Sequence, residues 1–113
     1  MNRYDNNLVV IGGGSAGLIS AYIAATVRAR VTLIEQGAMG GDCLNTGCVP
    51  SKALIRAAPA AHGFRDAARF ASAPAEPEVD FARVMAHVHG AIDSIAPKDS
   101  MDSYRSLVVD CIA

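Results

Sequence analysis

A short apolar strand pattern runs directly into a glycine-rich turn near the start of this chain. Residues 8–11 form a continuous, β-branched apolar run, as expected of a parallel strand that is buried on both faces. Glycines follow at positions 12, 14 and 17, with the spacing G-x-G-x-x-G. Residues 18–27 then have a helical pattern, and residues 31–34 repeat the apolar strand pattern. The sequence therefore predicts a β-α-β unit over residues 7–35 and an α/β fold with a parallel sheet.

This glycine spacing is the one that dinucleotide-binding units require. Gly12 allows a sharp turn out of the strand, Gly14 lets the backbone approach a pyrophosphate, and Gly17 lets the helix pack closely on the strand. The free amides at the start of a helix favour phosphate groups. Ser15 and Ala16 therefore join the three glycines as predicted cofactor-binding residues.

Glu35 stands at the end of the second strand pattern. In such units a carboxylate at that position accepts hydrogen bonds from ribose hydroxyls and repels a 2′-phosphate. Glu35 is thus a further predicted cofactor-binding residue, and NADP is disfavoured at this site. A mononucleotide P-loop is excluded, because Leu18 and Ile19 stand where that motif requires Lys and Ser or Thr.

Two cysteines, Cys43 and Cys48, lie close together in the next segment. Five residues of regular helix rise about 7.5 Å, which exceeds the roughly 7 Å Cα separation that a disulfide tolerates. A bonded pair therefore requires a break in the helix, for which the Asn-Thr-Gly run at 45–47 is suited. We expect Cys48 at a helix N-terminus, where the helix dipole and Lys52 lower its pKa. Cys43, in the preceding turn, is predicted to be the more accessible sulfur.

Other interpretations of the cysteine pair stay open on the residues alone. Two inert, buried thiols are common in proteins. A zinc site is not predicted, because it requires a second pair of ligands, and a structural disulfide is not expected without a secretory signal. Cys111 is predicted to be a small core residue, and His62, His87 and His89 are interpreted as surface or packing residues.

The second half of the chain has a mainly helical pattern. Residues 40–58 are predicted to contain the cysteine motif and the helix that follows it, which Pro59 kinks or breaks. Residues 60–96 are predicted to form a helical excursion with a loop at 72–78, and Asp80 to cap its last helix. A short helix at 101–107 and the start of a further strand at 108–113 follow.

Composition narrows the classes of partner. The 113 residues suit one domain at most, and 51% of them are hydrophobic. A net charge of -1 with scattered Lys and Arg predicts no nucleic-acid partner. No apolar run approaches the roughly 20 residues of a membrane span, so no membrane partner is predicted. An odd number of cysteines, 3, favours a reducing, cytoplasmic setting over a disulfide scaffold.

The two motifs together resemble those of the class I flavoprotein disulfide reductases. This family of pyridine nucleotide-disulfide oxidoreductases includes dihydrolipoamide dehydrogenase, mercuric reductase and glutathione reductase. The shared pattern is the glycine run at 12–17 with Glu35, followed at 40–52 by Gly-Gly-Asp-Cys-Leu-Asn-Thr-Gly-Cys-Val-Pro-Ser-Lys. The resemblance covers nearly all of this chain and only the first part of a family member. It implies a Rossmann-like FAD-binding domain that residues 1–113 begin and do not complete.

The resemblance also implies a set of cofactor contacts. FAD would bind at residues 12–17, with Glu35 on the adenosine ribose. Gly41 and Asp42 would lie beside the cofactor, and Asp42 stands where many members carry Thr near the flavin phosphates. Lys52 would lie near the reactive edge of the flavin.

For the cysteines the resemblance implies redox chemistry. Cys43 and Cys48 would form a redox-active disulfide, with Cys43 as the interchange thiol and Cys48 as the charge-transfer thiolate. Electrons would pass from NAD(P)H through FAD to this disulfide, and then to a small disulfide or soft-metal substrate. NAD(P)H would bind to a domain absent from this chain, the full-length protein would be a homodimer, and this chain alone would not turn over. Two alternatives are a thiol or soft-metal binding module without flavin, and a plain NAD-binding domain with incidental cysteines.

Overall fold

A small parallel sheet organises the two ends of the chain. The computed structural model describes residues 4–73 and 75–113. The strands are β1 (Leu8–Ile11), β2 (Val31–Ile34) and β3 (Val109–Ile112). They form one parallel sheet in the order β1-β2-β3, in register along their whole length, so that all three end at a common edge. The predicted α/β fold with a parallel sheet is confirmed.

The helices are bounded as follows: α1 (Ser15–Thr26), α2 (Gly41–Asn45), α3 (Cys48–Arg65), α4 (Phe81–Ile95) and α5 (Met101–Ser106), with one turn of 3-10 helix at Ala67–Phe70. Helix α1 connects β1 to β2, as the glycine pattern predicts, and begins three residues earlier than the predicted helix. The predicted loop at 72–78 is irregular where it is described. It includes Pro74, which lies outside the described residues.

The hydrophobic core lies between α1, the sheet and α5. Its buried members come from both ends of the sequence: Val10, Leu18, Ala21, Val31, Leu33, Tyr104, Val109 and Cys111. Cys111 is buried among them, as predicted. The hydroxyl of Tyr104 donates to the backbone carbonyl of Leu18 (3.1 Å), so a buried polar atom also holds α5 against α1.

Helices α3 and α4 form a long hairpin beside the α/β unit. The first turns of α3 and the last turns of α4 line one groove. The later turns of α3 and the first turn of α4 line another, so the two helices run antiparallel. The molecule measures 76 × 24 × 19 Å with a radius of gyration of 20.7 Å, whereas a compact chain of this length has about 13 Å. Asp80 caps α4 as predicted, accepting the backbone N–H of Arg83 at 3.2 Å. None of the helices within the described residues has both the length and the apolar character needed to span a bilayer.

Pro59 does not break the helix, which is one of the two effects predicted for it. Helix α3 continues through Pro59 to Arg65. The segment around Cys43, predicted to be a turn, forms the short helix α2. Proline removes the hydrogen bond to the carbonyl four residues earlier, here that of Ile55. Ile55 and Pro59 both lie on the exposed face of α3, where water can satisfy that carbonyl. The proline is therefore tolerated because it faces solvent.

Candidate nucleotide and dithiol site

The glycine turn lies where β1 ends and α1 begins. Gly12 has a φ of +106°, a region that glycine occupies without steric penalty. A Cβ on Gly17 would lie 1.8 Å from the carbonyl oxygen of Gly12, so any larger residue would push α1 away from the strand. The turning role predicted for Gly12 and the close-packing role predicted for Gly17 are both confirmed.

A cleft of about 370 Å³ opens in front of this turn. Its lining comes from both sequence motifs: Ile11, Gly12, Gly14, Ser15, Ala16, Gly17, Asp42 and Cys43. Helix α1 begins here without a side-chain cap. The N–H of Leu18 donates to the carbonyl of Gly14 (2.9 Å). Because the amides before Leu18 have no intrahelical acceptor, they are available to an anionic ligand in the cleft.

Glu35 uses both carboxylate oxygens within the protein. The backbone N–H of Gly13 donates to its Oε2 and that of Gly37 to its Oε1, each at 2.6 Å. These hydrogen bonds, that of Gly13 first, lower the pKa of the Glu35 carboxyl. Each oxygen has a second lone pair, so a ribose contact stays a prediction. The backbone contacts are not predictable from the sequence pattern.

The glycine turn and the cysteine motif are joined by their backbones. The N–H of Gly40 donates to the carbonyl of Gly13 (2.8 Å). A Cβ on Gly41 would lie 2.7 Å from the Cα of Gly14, so the two segments touch where both lack side chains. Gly40 and Gly41 have φ angles of +87° and +55°. The turn that starts the cysteine motif therefore requires glycine for conformation and for close approach.

The predicted break between the cysteines is confirmed. Cys43 lies in α2 and Cys48 is the first residue of α3, and both are free thiols in the structure. Gly47 in the break has a φ of -116°, outside the left-handed region. A Cβ there would lie 2.9 Å from the carbonyl oxygen of Asp42, so glycine is needed for space.

The exposure and the pKa of the two thiols differ from those expected from the sequence. Cys48 is exposed and Cys43 only partly so, although Cys43 was predicted to be the more accessible. A hydrogen bond from Cys48, then one from Ser15, lowers the pKa of Cys43, and donating that bond raises the pKa of Cys48. Lys52 favours both thiolates. The prediction of a lowered pKa at Cys48 is wrong, because the contact between the thiols outweighs the helix N-terminus and Lys52.

Two side-chain interactions in the site are not predicted from the sequence. Ser15 was predicted to bind cofactor, and its contact with Cys43 went unseen because the residues are distant in the chain. Asn45 donates through Nδ2 to the carbonyls of Met39 (3.1 Å) and Gly41 (2.8 Å). It thereby stabilises the turn before α2. The sequence feature that could have indicated this role is a short polar side chain between the two cysteines, because such side chains often bond to the nearby backbone.

A second groove adjoins the exposed thiol. Cys48, Lys52 and Arg56 follow one another at intervals of one helical turn on α3, and they line a groove of about 350 Å³ against α4. His87 of α4 lines the same groove. From the sequence, His87 is interpreted as a surface or packing residue with no cysteine nearby, whereas the structure places it in one groove with Cys48. Among the described residues, no group of three or more His, Cys, Asp and Glu side chains is arranged to hold a metal ion.

Comparison with known proteins assigns the family. Residues 6–108 match the pyridine nucleotide-disulphide oxidoreductases. The chain belongs to this family. The resemblance inferred from the two motifs is therefore confirmed.

Individual members of this oxidoreductase family are similar over much of the chain. A mercuric reductase of Streptomyces lividans is 51% identical over 80 residues, which are 69% of this chain and 16% of that protein. A dihydrolipoyl dehydrogenase of Zymomonas mobilis is 36% identical over 80 residues, 71% of this chain and 17% of the relative. A glutathione reductase of Burkholderia cepacia is 47% identical over 70 residues, 62% of this chain and 16% of the relative. The chain thus spans a small part of each relative.

A solved structure supports the same fold. It is the Cu(II) complex of the HOCl-induced flavoprotein disulfide reductase RclA from Escherichia coli, with a TM-score of 0.71 and 28% identity. The superposition covers 94% of this chain and 21% of that chain. The arrangement of a Rossmann-like sheet with a helical hairpin is therefore shared with a solved flavoprotein disulfide reductase.

The cofactors of this oxidoreductase family are FAD and NAD(P)H, in agreement with the prediction. The cleft suits the diphosphate of FAD in two respects: open amides at the start of α1, and glycines that leave the backbone bare. Asp42 does not suit that group, because it lines the same cleft and a carboxylate close to a diphosphate would repel it.

Proposed function

We propose that this chain supplies the FAD diphosphate site and the redox dithiol of an FAD-dependent, NAD(P)H-linked oxidoreductase. The observation that carries the proposal is that the glycine turn and Cys43 line one cleft. A nucleotide held at the turn therefore extends beside the thiols. When bound, FAD accepts an electron pair from NAD(P)H and supplies it to the Cys43–Cys48 disulfide.

The residues of the chain hold the cofactor through its anionic and hydroxyl groups. The amides of Ser15, Ala16 and Gly17 bind the diphosphate at the start of α1. The remaining lone pairs of Glu35 accept ribose hydroxyls. Lys52, which already favours thiolate at both cysteines, lies near the flavin.

The dithiol then passes two electrons to substrate. Two electrons and two protons convert the Cys43–Cys48 disulfide to two thiols. The Cys43 thiolate attacks a substrate disulfide, forming a mixed disulfide and releasing one substrate thiolate, which takes up a proton. The Cys48 thiol loses its proton, and the resulting thiolate attacks the Cys43 sulfur and restores the protein disulfide. The second substrate thiolate leaves and takes up a proton. The lowered pKa of Cys43 and the raised pKa of Cys48 support this order of attack.

The substrate class is a small disulfide or a soft metal ion. The first is supported by the similarity to a glutathione reductase and the second by the similarity to mercuric reductases. The chain spans 16% to 17% of these relatives. We propose that it does not turn over alone, that another segment binds NAD(P)H, and that the whole protein is a homodimer in a reducing cytoplasm.

A spectroscopic experiment tests the proposal. Two-electron reduction of the FAD-loaded protein is expected to give a long-wavelength absorption band from a thiolate beside the flavin. Cys48→Ser is expected to abolish the band, and Cys43→Ser, as the matched control, to leave it. A band that survives Cys48→Ser would overturn the assignment of that thiol.

The two alternatives predict different results. A soft-metal or thiol module gives tight metal binding by the reduced pair, protein that purifies without yellow colour, and no FAD affinity. A plain NAD-binding domain is protected from unfolding by NAD and is unaffected by Cys43→Ser. Gly14 lines the cleft, and a Cβ there would meet only the Cα of Gly41, at 3.8 Å. Tight FAD binding that is lost in Gly14→Ala and retained in Gly90→Ala favours the oxidoreductase. Gly90 is suitable as a control because a Cβ there meets nothing within 4 Å.

A further inference from the structure

Gly13 connects three segments of the site, although it occupies a variable position of the glycine pattern. Its N–H donates to Glu35 Oε2 (2.6 Å), and its carbonyl accepts the N–H of Gly40 (2.8 Å). A Cβ on Gly13 would lie 2.8 Å from the sulfur of Met39 and 3.2 Å from the Cβ of Glu35. The end of β2, the glycine turn and the start of the cysteine motif therefore meet at one buried residue.

This junction lies directly beside the contact that favours the Cys43 thiolate. Ser15 begins α1 two residues after Gly13, and its side chain and Cys43 line the same cleft. Hydrogen bonding from Ser15 is one of the causes that lower the pKa of Cys43. Gly14 and Gly41, which separate the junction from these two side chains, have their backbones in contact. The relative position of Ser15 and Cys43 is therefore set by how the two turns are held together.

We propose that Glu35 is a positioning residue for the dithiol, in addition to any contact with a nucleotide. By holding the N–H of Gly13, its carboxylate fixes the start of α1 against the turn at Gly40. The Ser15 hydroxyl is thereby kept within hydrogen-bonding reach of the Cys43 sulfur. This role operates in the chain without nucleotide, so it does not depend on the electron path proposed above.

Positioning and simple electrostatics predict opposite effects of removing Glu35. A negative charge disfavours a nearby thiolate, so loss of the charge alone would make Cys43 more reactive. Loss of positioning removes the hydroxyl donor and makes Cys43 less reactive. The other groups that face Cys43 are the Cys48 thiol and the Lys52 ammonium, and Asp42 precedes it in α2. These groups are unchanged in the experiment, apart from Cys48, which is replaced in every variant alike.

The experiment measures the rate at which iodoacetamide alkylates Cys43 between about pH 6 and pH 10. It uses the nucleotide-free chain carrying Cys48→Ser, which retains a hydroxyl donor, and mass spectrometry separates Cys43 from the buried Cys111. Glu35→Gln keeps an acceptor for Gly13 and loses the charge. Glu35→Asp keeps the charge and shortens the side chain by one methylene, so that it no longer reaches Gly13.

Glu35→Asp is expected to slow alkylation at pH 7 about tenfold and to move the midpoint of the pH profile upward, because a hydrogen bond to a charged group is lost. Glu35→Gln is expected to remain within about twofold of the parent. A parent-like rate in Glu35→Asp, or faster alkylation in Glu35→Ala, would overturn the proposal. Circular dichroism shows whether each variant is folded, and if Glu35→Ala is not, the other two variants decide.

A double-mutant cycle tests whether Glu35 acts through Ser15. Ser15→Ala alone is expected to slow alkylation about as much as Glu35→Asp, since both remove the same donor from Cys43. Combining the two changes is expected to add little. If Glu35→Asp has its full effect in the Ser15→Ala background, Glu35 does not position that hydroxyl and the proposal is wrong.

Discussion

Asp42 lines the cleft in front of the glycine turn and brings a negative charge close to the amides at the start of α1. It stands in the first turn of α2, where an acidic residue favours its own helix. The same charge opposes a diphosphate in the cleft. One residue therefore contributes to local stability and weakens the affinity for an anionic ligand.

We predict that Asp42→Asn tightens FAD binding. Two unit charges about 4 Å apart interact by about 1 kcal/mol in water, so we expect an affinity about fivefold higher. Titration followed by flavin fluorescence measures it, and the gain should shrink with added salt. Asp93→Asn, which makes the same change on the exposed part of α4, is the control. Equal or weaker binding by Asp42→Asn would show that this carboxylate does not oppose the cofactor.

Val108 has an unfavourable backbone conformation. It follows α5 with a φ of +64°, a conformation that is strained for a β-branched residue. Its N–H donates to the carbonyl of Arg105 (2.9 Å), which is the usual way to end a helix with a left-handed residue. The chain therefore carries valine where glycine is normally found.

Val108→Gly is predicted to stabilise the fold by about 1 kcal/mol, because the left-handed conformation costs an L-residue roughly 1–2 kcal/mol. Urea unfolding followed by circular dichroism measures the free energy of unfolding. Leu107→Gly, at a neighbouring φ of -88°, should instead destabilise. A loss of stability in Val108→Gly would mean that the exposed valine makes contacts worth more than the strain.

At the scale of elements, a glycine within a helix is required at one position and dispensable at another. Gly17 in α1 is irreplaceable, because the carbonyl of Gly12 occupies the space of its Cβ. Gly63 in α3 has no atom within 4 Å of a Cβ. The first permits contact between a helix and a strand, whereas the second only weakens its own helix.

Gly63→Ala is predicted to raise the free energy of unfolding by about 0.5–1 kcal/mol, since alanine is the better helix former. Gly17→Ala should prevent the native fold or reduce its stability severely. Urea unfolding of both variants makes the comparison. Native stability in Gly17→Ala would contradict the close packing of α1 on β1.

At the scale of the whole molecule, the site lies where a compact α/β unit meets a long helical hairpin. Helix α2 and the turn before it connect the two parts. The hydrogen bond from Gly40 to Gly13 in the glycine turn holds this connection against the end of the sheet. Glu35 contributes to this connection by accepting the N–H of Gly13. Its protonation should therefore affect the stability of the whole chain.

The acid sensitivity of the fold is predicted to depend on Glu35. Its pKa is lowered from 4.5 in the folded state by the amides of Gly13 and Gly37. The stability it contributes is thus fully present above the unfolded-state pKa and is lost as the pH falls through the lower folded-state pKa. Glu35→Gln should destabilise at neutral pH and converge with the parent in acid. Urea unfolding at several pH values measures this, with Glu78→Gln as the control, and a difference that is constant with pH would refute it.

Much of the fold follows from local patterns. The β-α-β unit, the capped helix α4, the helix break between the cysteines and the core position of Cys111 depend on spacing and residue type over a few positions. The continuation of α3 through Pro59 does not, because the penalty of a proline depends on which face of the helix meets solvent. The exposure of that face is decided by the packing of α4.

The sequence by itself determined where a nucleotide-binding turn and a dithiol motif lie, because each is a run of neighbouring residues with its own steric requirements. Only the tertiary structure decided that the amides of Gly13 and Gly37 occupy Glu35, that Gly40 bonds to Gly13, and that Cys43 has the lowered pKa. Those outcomes depend on contacts between segments far apart in the chain. Spacing along a sequence specifies local conformation, whereas the donor that reaches a given carboxylate or thiol is set by how separate turns are oriented against each other.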